Sequence, residues 1–166
     1  MIIICFLPFG VLITIILLFS GEGEVFYNQS RIGKDSKTFS LIKFATMIKD
    51  SPNIGARDIT LKNDSRVLPF GKFLRKTKLN EFPQFINVLI GDMSLVGPRP
   101  LVTNQFEMIP QKLRDKIKHL KPGVTGIGSI IFRDEEKYFS SLENSQNFYK
   151  EKVVPFKAKL ECWYND

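Results

Sequence analysis

An apolar run at the N-terminus constrains the fold of this chain more than any other feature. The run extends from Ile2 to Phe19 without a charged residue and reads IIICFLPFGVLITIILLF. As a straight helix it would be about 27 Å long at 1.5 Å per residue, which is marginal for crossing the hydrocarbon core of a bilayer. Pro8 and Gly10 lie inside the run.

Three interpretations of the apolar run lead to different topologies. A signal peptide usually begins with a basic segment, whereas here Met1 leads straight into Ile2. A plain spanning helix is one alternative. A helix broken at Pro8, which dips into one leaflet and returns, is the other, because proline removes a backbone hydrogen bond and kinks a helix. The flank that follows is basic, with Arg31, Lys34, Lys37, Lys43 and Lys49. We therefore expect a membrane protein whose globular part faces the cytoplasm.

The charge balance favours an anionic partner. The 166 residues include 24 Lys and Arg against 17 Asp and Glu, which gives a net charge of +7. Such a charge suits nucleic acid, an acidic membrane face or a phosphate-bearing substrate. The two cysteines, Cys5 and Cys162, form no CxxC pair, so the sequence suggests neither a metal site nor a disulfide framework. The chain length fits one domain with a real core.

The first half of the remaining chain predicts a small hairpin and a short helix. The segments EVFYNQSRIG and TFSLIKFATM are rich in aromatic and β-branched residues and flank the turn-like KDSK, which predicts a β-hairpin within residues 25–47. A polar loop with Pro52 and Gly55 follows, and then a short basic helix with the sequence GKFLRKTK.

The second half predicts two further helices joined by a loop. The chain is expected to be helical from Asn104 to Leu120, with an interruption near Pro110. The apolar side of that segment carries Leu113, Ile117 and Leu120. The stretch KPGVTGIGS is predicted to be a loop. The last segment has a stripe at helical spacing, formed by Tyr149, Val153, Phe156, Leu160 and Trp163. The stripe either packs on the core or lies in the membrane interface with Trp163 and Tyr164 as aromatic anchors.

Between these halves lies the segment KLNEFPQFINVLIGDMSLVGPRP, residues 78–100. Its apolar residues Phe82, Phe85, Ile86 and Leu89 fall at i, i+3, i+4 and i+7, which predicts one apolar face of a helix. Pro83 is tolerated only in the first turn, and Gly91 ends the helix. We therefore predict Asn80 as the N-cap and Glu81 as the first helical residue.

A helix N-terminus beside a fixed arginine could bind phosphate. The unpaired N–H groups and the positive dipole end favour an anion there, and Arg99 lies between Pro98 and Pro100, which largely fix its backbone direction. Glu81 and Asp92 could hold a magnesium ion together with substrate phosphates. The same residues also have simpler interpretations, since Asn80 could be only an N-cap, Glu81 a favourable charge at the dipole, and Arg99 a turn residue. Spacing alone leaves these alternatives open.

The stretch GKFLRKTKLNEFPQFINVLIGDMSLVGPRPL strongly resembles the signature of the bacterial sugar transferase family, the monotopic polyprenyl-phosphate phosphoglycosyl transferases. The resemblance extends upstream over VFYNQSRIGKDSKTFSLIKFATM and downstream over LKPGVTGIGSIIFRDEEKY, so it covers nearly the whole chain. It implies an enzyme at the cytoplasmic face of the bacterial inner membrane that moves a sugar phosphate from a UDP-sugar to undecaprenyl phosphate. UMP is released, and the lipid-linked sugar starts a capsule, O-antigen or glycoprotein glycan.

The resemblance also implies a fold, a cofactor and roles for individual residues. The fold is α+β and mainly helical, with a compact cytoplasmic domain and a small hairpin on a re-entrant helix that is broken at proline, here Pro8. Residues 1–20 would insert into the membrane and residues 21–166 would form the catalytic domain, apparently cut short at its C-terminus. The family's Asp-Glu dyad uses the Asp as nucleophile and the Glu to help hold Mg²⁺, and its Glu falls on Glu81. Arg99, Arg75 and Lys43 match basic positions that would bind the substrate phosphates.

Two departures from the family pattern bear on catalysis. The nucleophile position is occupied by Asn80 instead of aspartate, and an uncharged amide is a weak nucleophile. The common motif with an arginine before Thr-Met reads Lys43-Phe44-Ala45-Thr46-Met47. From the resemblance, the expected function is still an active transferase. The departures raise the alternative of a weak or inactive membrane-bound relative, which would bind nucleotide sugar or pair with an active partner. Either protein could form a homo- or hetero-oligomer. We find no nucleic-acid-binding motif, and we assign no sugar.

Overall fold

The computed structural model describes residues 2–54, 60, 64–133 and 148–165. The mixed helix and strand composition predicted from the sequence is confirmed. Among the expected features, Gly55 and residues 134–138 of the downstream resemblance lie outside the described residues.

The apolar N-terminal run forms helix α1, Ile2–Phe19, and the helix continues through Pro8. One side of α1 packs on the domain, because Ile13 and Leu17 are buried in a cluster with Phe44 and Leu74. Over the residues whose placement is described, no helix has the length and apolar content needed to cross a membrane. The dip-and-return path at Pro8 stays a prediction.

The predicted hairpin is confirmed. Strands β1, Phe26–Ile32, and β2, Thr38–Phe44, pair antiparallel with Phe26 opposite Phe44 and Ile32 opposite Thr38. Their connection is a 3₁₀ turn, Lys34–Ser36. The predicted basic helix is also present as α2, Pro69–Lys76, and Leu74 on its inner side is fully buried. Pro69 starts the helix at a position where its missing N–H costs nothing.

The segment predicted to be a loop, KPGVTGIGS, instead contains a strand and the start of a helix. Strand β3, Ser94–Val96, runs parallel to β4, Gly123–Thr125, which leads into the helix that we call α6, Ile127–Ile131. The segment is glycine-rich because the two chains approach closely: a Cβ on Gly123 would collide with the backbone N of Gly97. The loop prediction was wrong because close backbone packing leaves no alternation of apolar side chains to detect.

The helices predicted after residue 103 are confirmed as α4, Thr103–Glu107, and α5, Gln111–Ile117, with Pro110 between them. The C-terminal segment is helical from a π-helical turn, Tyr149–Val153, through α7, Val154–Asn165. Both parts pack in a core of Ile109, Ile117, Val153, Val154, Ala158 and Cys162.

The predicted stripe on the C-terminal helix is only partly the buried face. Val153 is buried as expected, but Phe156 is 49% exposed and Trp163 is 71% exposed. The buried residues of α7 are Val154, Ala158, Glu161 and Cys162. The buried face of α7 therefore carries mostly small residues and one acid, and it lies beside the predicted stripe. The larger aromatic side chains are exposed.

Candidate active site

The turn that carries Asn80 and Glu81 differs from the predicted helix start. Residues Leu79–Glu81 form a 3₁₀ turn, which follows Lys78 in the left-handed conformation with φ 62°. Helix α3 begins later, at Gln84, and Pro83 precedes it without a side-chain cap. The N-cap role predicted for Asn80 is wrong, and Glu81 is not the first residue of an α-helix. The hydrogen bonds from Glu81 N–H to the Lys78 carbonyl and from Phe82 N–H to the Leu79 carbonyl each link residues three apart. They form a 3₁₀ turn that precedes the α-helix.

Helix α3, Gln84–Leu89, turns its polar residues inward. Gln84 is 2% exposed and Asn87 is fully buried, whereas Ile86 is 44% and Leu89 is 66% exposed. The predicted apolar face is therefore only partly a core face: Phe82 packs against the cluster of Ile13, Leu17, Phe44 and Leu74, whereas Ile86 and Leu89 are exposed. Its end is as predicted, since Gly91 follows the helix with φ 91°.

Asn87 explains why the polar face is the buried one. Its side-chain Oδ1 accepts a hydrogen bond from Ile42 N–H at 3.1 Å, and its Nδ2 donates to the Ser40 carbonyl at 2.8 Å. These are backbone groups of β2, and buried backbone groups must find polar partners. An amide supplies both a donor and an acceptor, so it fastens α3 to β2, the strand that carries Lys43.

Glu81 and Arg99 form a partly buried ion pair between the 3₁₀ turn and the segment after β3. Arg99 Nη2 donates to Glu81 Oε1 at 2.9 Å and Nη1 lies 3.5 Å from Oε2, while the Glu81 side chain is only 13% exposed. Burial by itself raises the pKa of Glu81, but the charge and hydrogen bonds of Arg99, together with Lys43 and Lys78, outweigh it and lower the pKa to about 2. Glu81 is thus a carboxylate at any physiological pH.

Lys43 and Arg75 approach the same place from β2 and α2. Burial first, and then the charges of Arg31 and Arg99, hold the pKa of Lys43 well below its usual value, while Glu81 opposes them. Arg75 also acts on Lys43 electrostatically, and its Nη2 donates to Thr60 Oγ1 at 2.7 Å. The predicted basic residues and Glu81 therefore lie within electrostatic reach of one another, as a phosphate-binding cluster requires.

The sequence reasoning counted Arg31 only as part of the basic flank. In the structure Arg31 Nη1 donates to the Pro100 carbonyl at 3.0 Å, and the next residue, Ile32, donates its N–H to the Leu101 carbonyl at 2.8 Å. Gln29 Oε1 accepts from Arg31 Nη2 at 2.6 Å. Residues two apart in a strand share a face, so Gln29 and Arg31 lie on the same face of β1. This polar pair was the signal in the sequence that Arg31 could be more than a surface charge.

Asn80, which directly precedes Glu81, has an unsatisfied acceptor. The residue is 7% exposed, and Oδ1 is buried with no hydrogen-bond partner among the described residues. A buried acceptor without a partner is costly and recurs at functional sites. The position that would hold the family's nucleophile is therefore inside the protein and next in sequence to the ionised Glu81.

The carboxylate that could hold a metal here is Glu81. Asp92, the second predicted ligand, has Oδ2 at 3.4 Å from Asn87 Nδ2. Within the described ranges, no group of three or more His, Cys, Asp or Glu side chains could form a metal centre. Magnesium bound to a nucleotide needs only one or two carboxylates because the phosphates supply the other ligands. The ionised Glu81 fits that requirement.

Comparison with known proteins gives consistent matches. The family described as Bacterial sugar transferase matches residues 1–161. The undecaprenyl-phosphate galactose phosphotransferase of Salmonella typhimurium is 37% identical over 130 residues, which are 70% of this chain and 27% of the relative. The UDP-glucose:undecaprenyl-phosphate glucose-1-phosphate transferase of Escherichia coli is 38% identical over 148 residues, 85% of this chain and 32% of the relative. The exopolysaccharide production protein ExoY of Rhizobium meliloti is 33% identical over 150 residues, 82% of this chain and 66% of the relative.

Proposed function

The chain belongs to the bacterial sugar transferase family, and we propose that it transfers a sugar phosphate from a UDP-sugar to undecaprenyl phosphate with release of UMP. The chain spans about a quarter to two-thirds of the length of the curated relatives it matches. Several of those relatives are named for phosphosugar transfer to undecaprenyl phosphate. The product would start a surface glycan such as a capsule, an O-antigen or a glycoprotein glycan.

The observation that carries the proposal is the cation cluster around Glu81. Arg99 already bridges the two oxygens of one carboxylate, and the same planar fork can bridge two phosphate oxygens. Lys43 and Arg75 lie within electrostatic reach of each other, and the carboxylate of Glu81 also acts on Lys43. The negative charge of a sugar diphosphate would balance this excess of positive charge.

Magnesium belongs to the same proposal. Glu81 would hold the ion, and Asp92 is the second candidate ligand. When bound, the ion would neutralise part of the diphosphate charge. The chain's own contribution is to keep Glu81 ionised, which follows from its pKa of about 2.

The route of transfer has to account for Asn80. Because an amide is a weak nucleophile, we propose that an oxygen of undecaprenyl phosphate attacks the sugar-linked phosphorus of the UDP-sugar directly. The new P–O bond forms as the bond to UMP breaks, so charge and atoms balance without a covalent enzyme intermediate. Glu81 is the alternative nucleophile, but both of its oxygens face Arg99 in this structure.

The finer location, the cytoplasmic face of the bacterial inner membrane, is also a proposal. It is supported by large apolar side chains that remain exposed on three helices. They include Phe9, Leu12, Ile15 and Phe19 on α1, Ile86 and Leu89 on α3, and Phe156 and Trp163 on α7. Large exposed apolar side chains in such numbers favour binding to lipid or to a partner, and the proposed acceptor is itself a membrane lipid.

The deciding experiment measures UMP release from a panel of UDP-sugars by the protein in lipid nanodiscs, with and without undecaprenyl phosphate and with EDTA as the metal control. We expect acceptor-dependent UMP release with one of the sugars and its loss in EDTA. Binding of a UDP-sugar without turnover would instead indicate the inactive relative that the Asn80 substitution suggests. Neither binding nor turnover with any UDP-sugar would refute the proposed function.

A further inference from the structure

Glu161 is a buried acid that the proposed chemistry does not use. It lies on α7, is 5% exposed, and its Oε1 accepts a hydrogen bond from Gly128 N–H at 3.0 Å. Oε2 is buried and has no hydrogen-bond partner among the described residues. Burial raises the pKa of Glu161, and the bond from Gly128 opposes it. A carboxyl group in such a place costs folding free energy, so its retention calls for a physical reason.

Gly128, the hydrogen-bond partner of Glu161, is the first of several residues in contact that lead toward the proposed site. A Cβ on Gly128 would lie 2.9 Å from Glu161 Oε1, and a Cβ on Gly126 would lie 3.2 Å from the same atom. The Gly126 position is closed on its other side as well, because that Cβ would collide with the carbonyl oxygen of Gly97. Residues 126–128, which form the first turn of α6, are therefore packed between the carboxyl group and the segment that leads into Arg99.

Two backbone hydrogen bonds carry the connection to its end. Gly97 N–H donates to the Thr125 carbonyl, and Gly123 N–H donates to the Pro98 carbonyl, both at 2.9 Å. Arg99 follows directly, and the proline on each side of it restricts its backbone. The position of the Arg99 guanidinium relative to Glu81 thus depends on a strand pair whose far end is held by α7.

We propose that Glu161 is a positioning residue for Arg99: by accepting the Gly128 N–H it holds the turn 126–128 against Gly97 and keeps the arginine aimed at the substrate diphosphate. This inference rests on the proposed function for the identity of the diphosphate. It requires an acceptor oxygen at this position and does not require a charge. Glutamine can therefore replace glutamate, whereas alanine leaves the Gly128 N–H without its partner.

The first experiment is a double-mutant cycle on binding of UDP, with Glu161→Ala, Arg99→Lys and the pair. If Glu161 acts through Arg99, Glu161→Ala weakens UDP binding by about tenfold alone and by less than about twofold when Arg99→Lys is already present, because effects that share one path do not add. Glu161→Gln restores wild-type affinity. The matched control is Val154→Ala, which removes a buried side chain from the same helix and should change affinity by the same factor in both backgrounds.

A second measurement does not depend on nucleotide binding. Amide hydrogen exchange at Gly97 and Gly123 should quicken in Glu161→Ala beyond its change in Val154→Ala, and should stay at the wild-type rate in Glu161→Gln. If Glu161→Ala does not fold, Gly128→Ala disturbs the same contact from the other side. Equal factors in both backgrounds of the cycle, a glutamine variant as impaired as alanine, or unchanged exchange at Gly97 would overturn the proposal. Failure of the wild-type protein to bind UDP would count against the proposed function alone, and the exchange data would still decide the role of Glu161.

Discussion

At the scale of single residues, replacing Arg99 with lysine keeps a positive charge beside Glu81 but removes the planar fork that now meets both carboxylate oxygens. We expect Arg99→Lys to weaken UDP-sugar binding by roughly 1.5–3 kcal/mol, the scale of a hydrogen bond to a charged group. Isothermal titration calorimetry measures the change. Arg133→Lys, at an exposed position after α6, is the control with the same chemical substitution. Equal affinity of the Arg99 variant and the control would return Arg99 to the role of a turn residue.

Asn80→Asp should supply the carboxylate that this chain lacks. Residue 80 is buried and directly precedes Glu81, the carboxylate that pairs with Arg99. We expect UMP release without lipid acceptor to appear or rise strongly, together with a phosphosugar adduct on residue 80. A UMP-detection assay and intact-protein mass spectrometry measure the two effects. An adduct on the unmutated Asn80, or loss of activity in Asn80→Asp, would contradict this account.

The ion pair of Glu81 also predicts how stability depends on acid. The folded protein lowers the pKa of Glu81 from 4.5 to about 2, so the folded state favours the carboxylate. The resulting stabilisation is fully present above pH 4.5 and is lost as pH falls from 4.5 toward 2. The shift corresponds to about 3 kcal/mol. Urea unfolding at several pH values should show that the wild type loses about this much more stability than Glu81→Gln over the same range. Parallel pH curves for the two proteins would show that the pair does not stabilise the fold.

At the scale of elements, α3 allows a test in which sequence pattern and structure disagree. The periodic pattern predicts that Leu89 is a core residue and says nothing of Asn87, whereas Leu89 is exposed and Asn87 is buried between α3 and β2. Asn87→Ala should lower the free energy of unfolding by about 2–4 kcal/mol, because the Ile42 N–H and the Ser40 carbonyl would lose their hydrogen-bond partner. Leu89→Ala should change stability by less than about 0.5 kcal/mol. Chemical unfolding of both variants in detergent decides between them, and the reverse ranking would restore the apolar face as the core face.

These elements show which parts of the fold were predictable. The hairpin, α2, and the pair α4 and α5 follow local signals, namely strand-forming residues around a turn, a proline at a helix start and a proline between helices. The β3–β4 pair was missed because its cause is contact between backbones distant in sequence, which leaves only an excess of glycine. The face of α3 was missed because its buried surface meets strand backbone and needs an amide. At the candidate site, the motif singled out Glu81, Arg99, Arg75 and Lys43, but only the folded chain showed that Arg31 donates to the Pro100 carbonyl and that Glu161 accepts from the Gly128 N–H.

At the scale of the whole molecule, the orientation of the domain relative to the membrane is the main prediction. Pro8 lies inside an apolar helix of marginal length, so we expect the segment to return to the side it entered. An N-terminal cysteine tag should then be labelled only after the inner membrane is permeabilised, as should a cysteine placed at the exposed Lys159, the internal reference for the domain. Labelling of the N-terminal tag from the periplasm, with the domain still protected, would establish a spanning helix.

The contact between Arg31 and the Pro100 carbonyl joins residues 69 positions apart, and that of Gly128 with Glu161 joins residues 33 apart. Contacts of such separation form late in folding, since the entropy of closing a long loop must be overcome before they become favourable. On a ribosome, the hairpin would leave the exit tunnel long before the chain that it holds in place. A nascent chain that ends before α7 would thus carry every residue of the Glu81 cluster without their final arrangement. Nucleotide binding by nascent chains of increasing length would therefore report the length at which the cluster reaches its final arrangement.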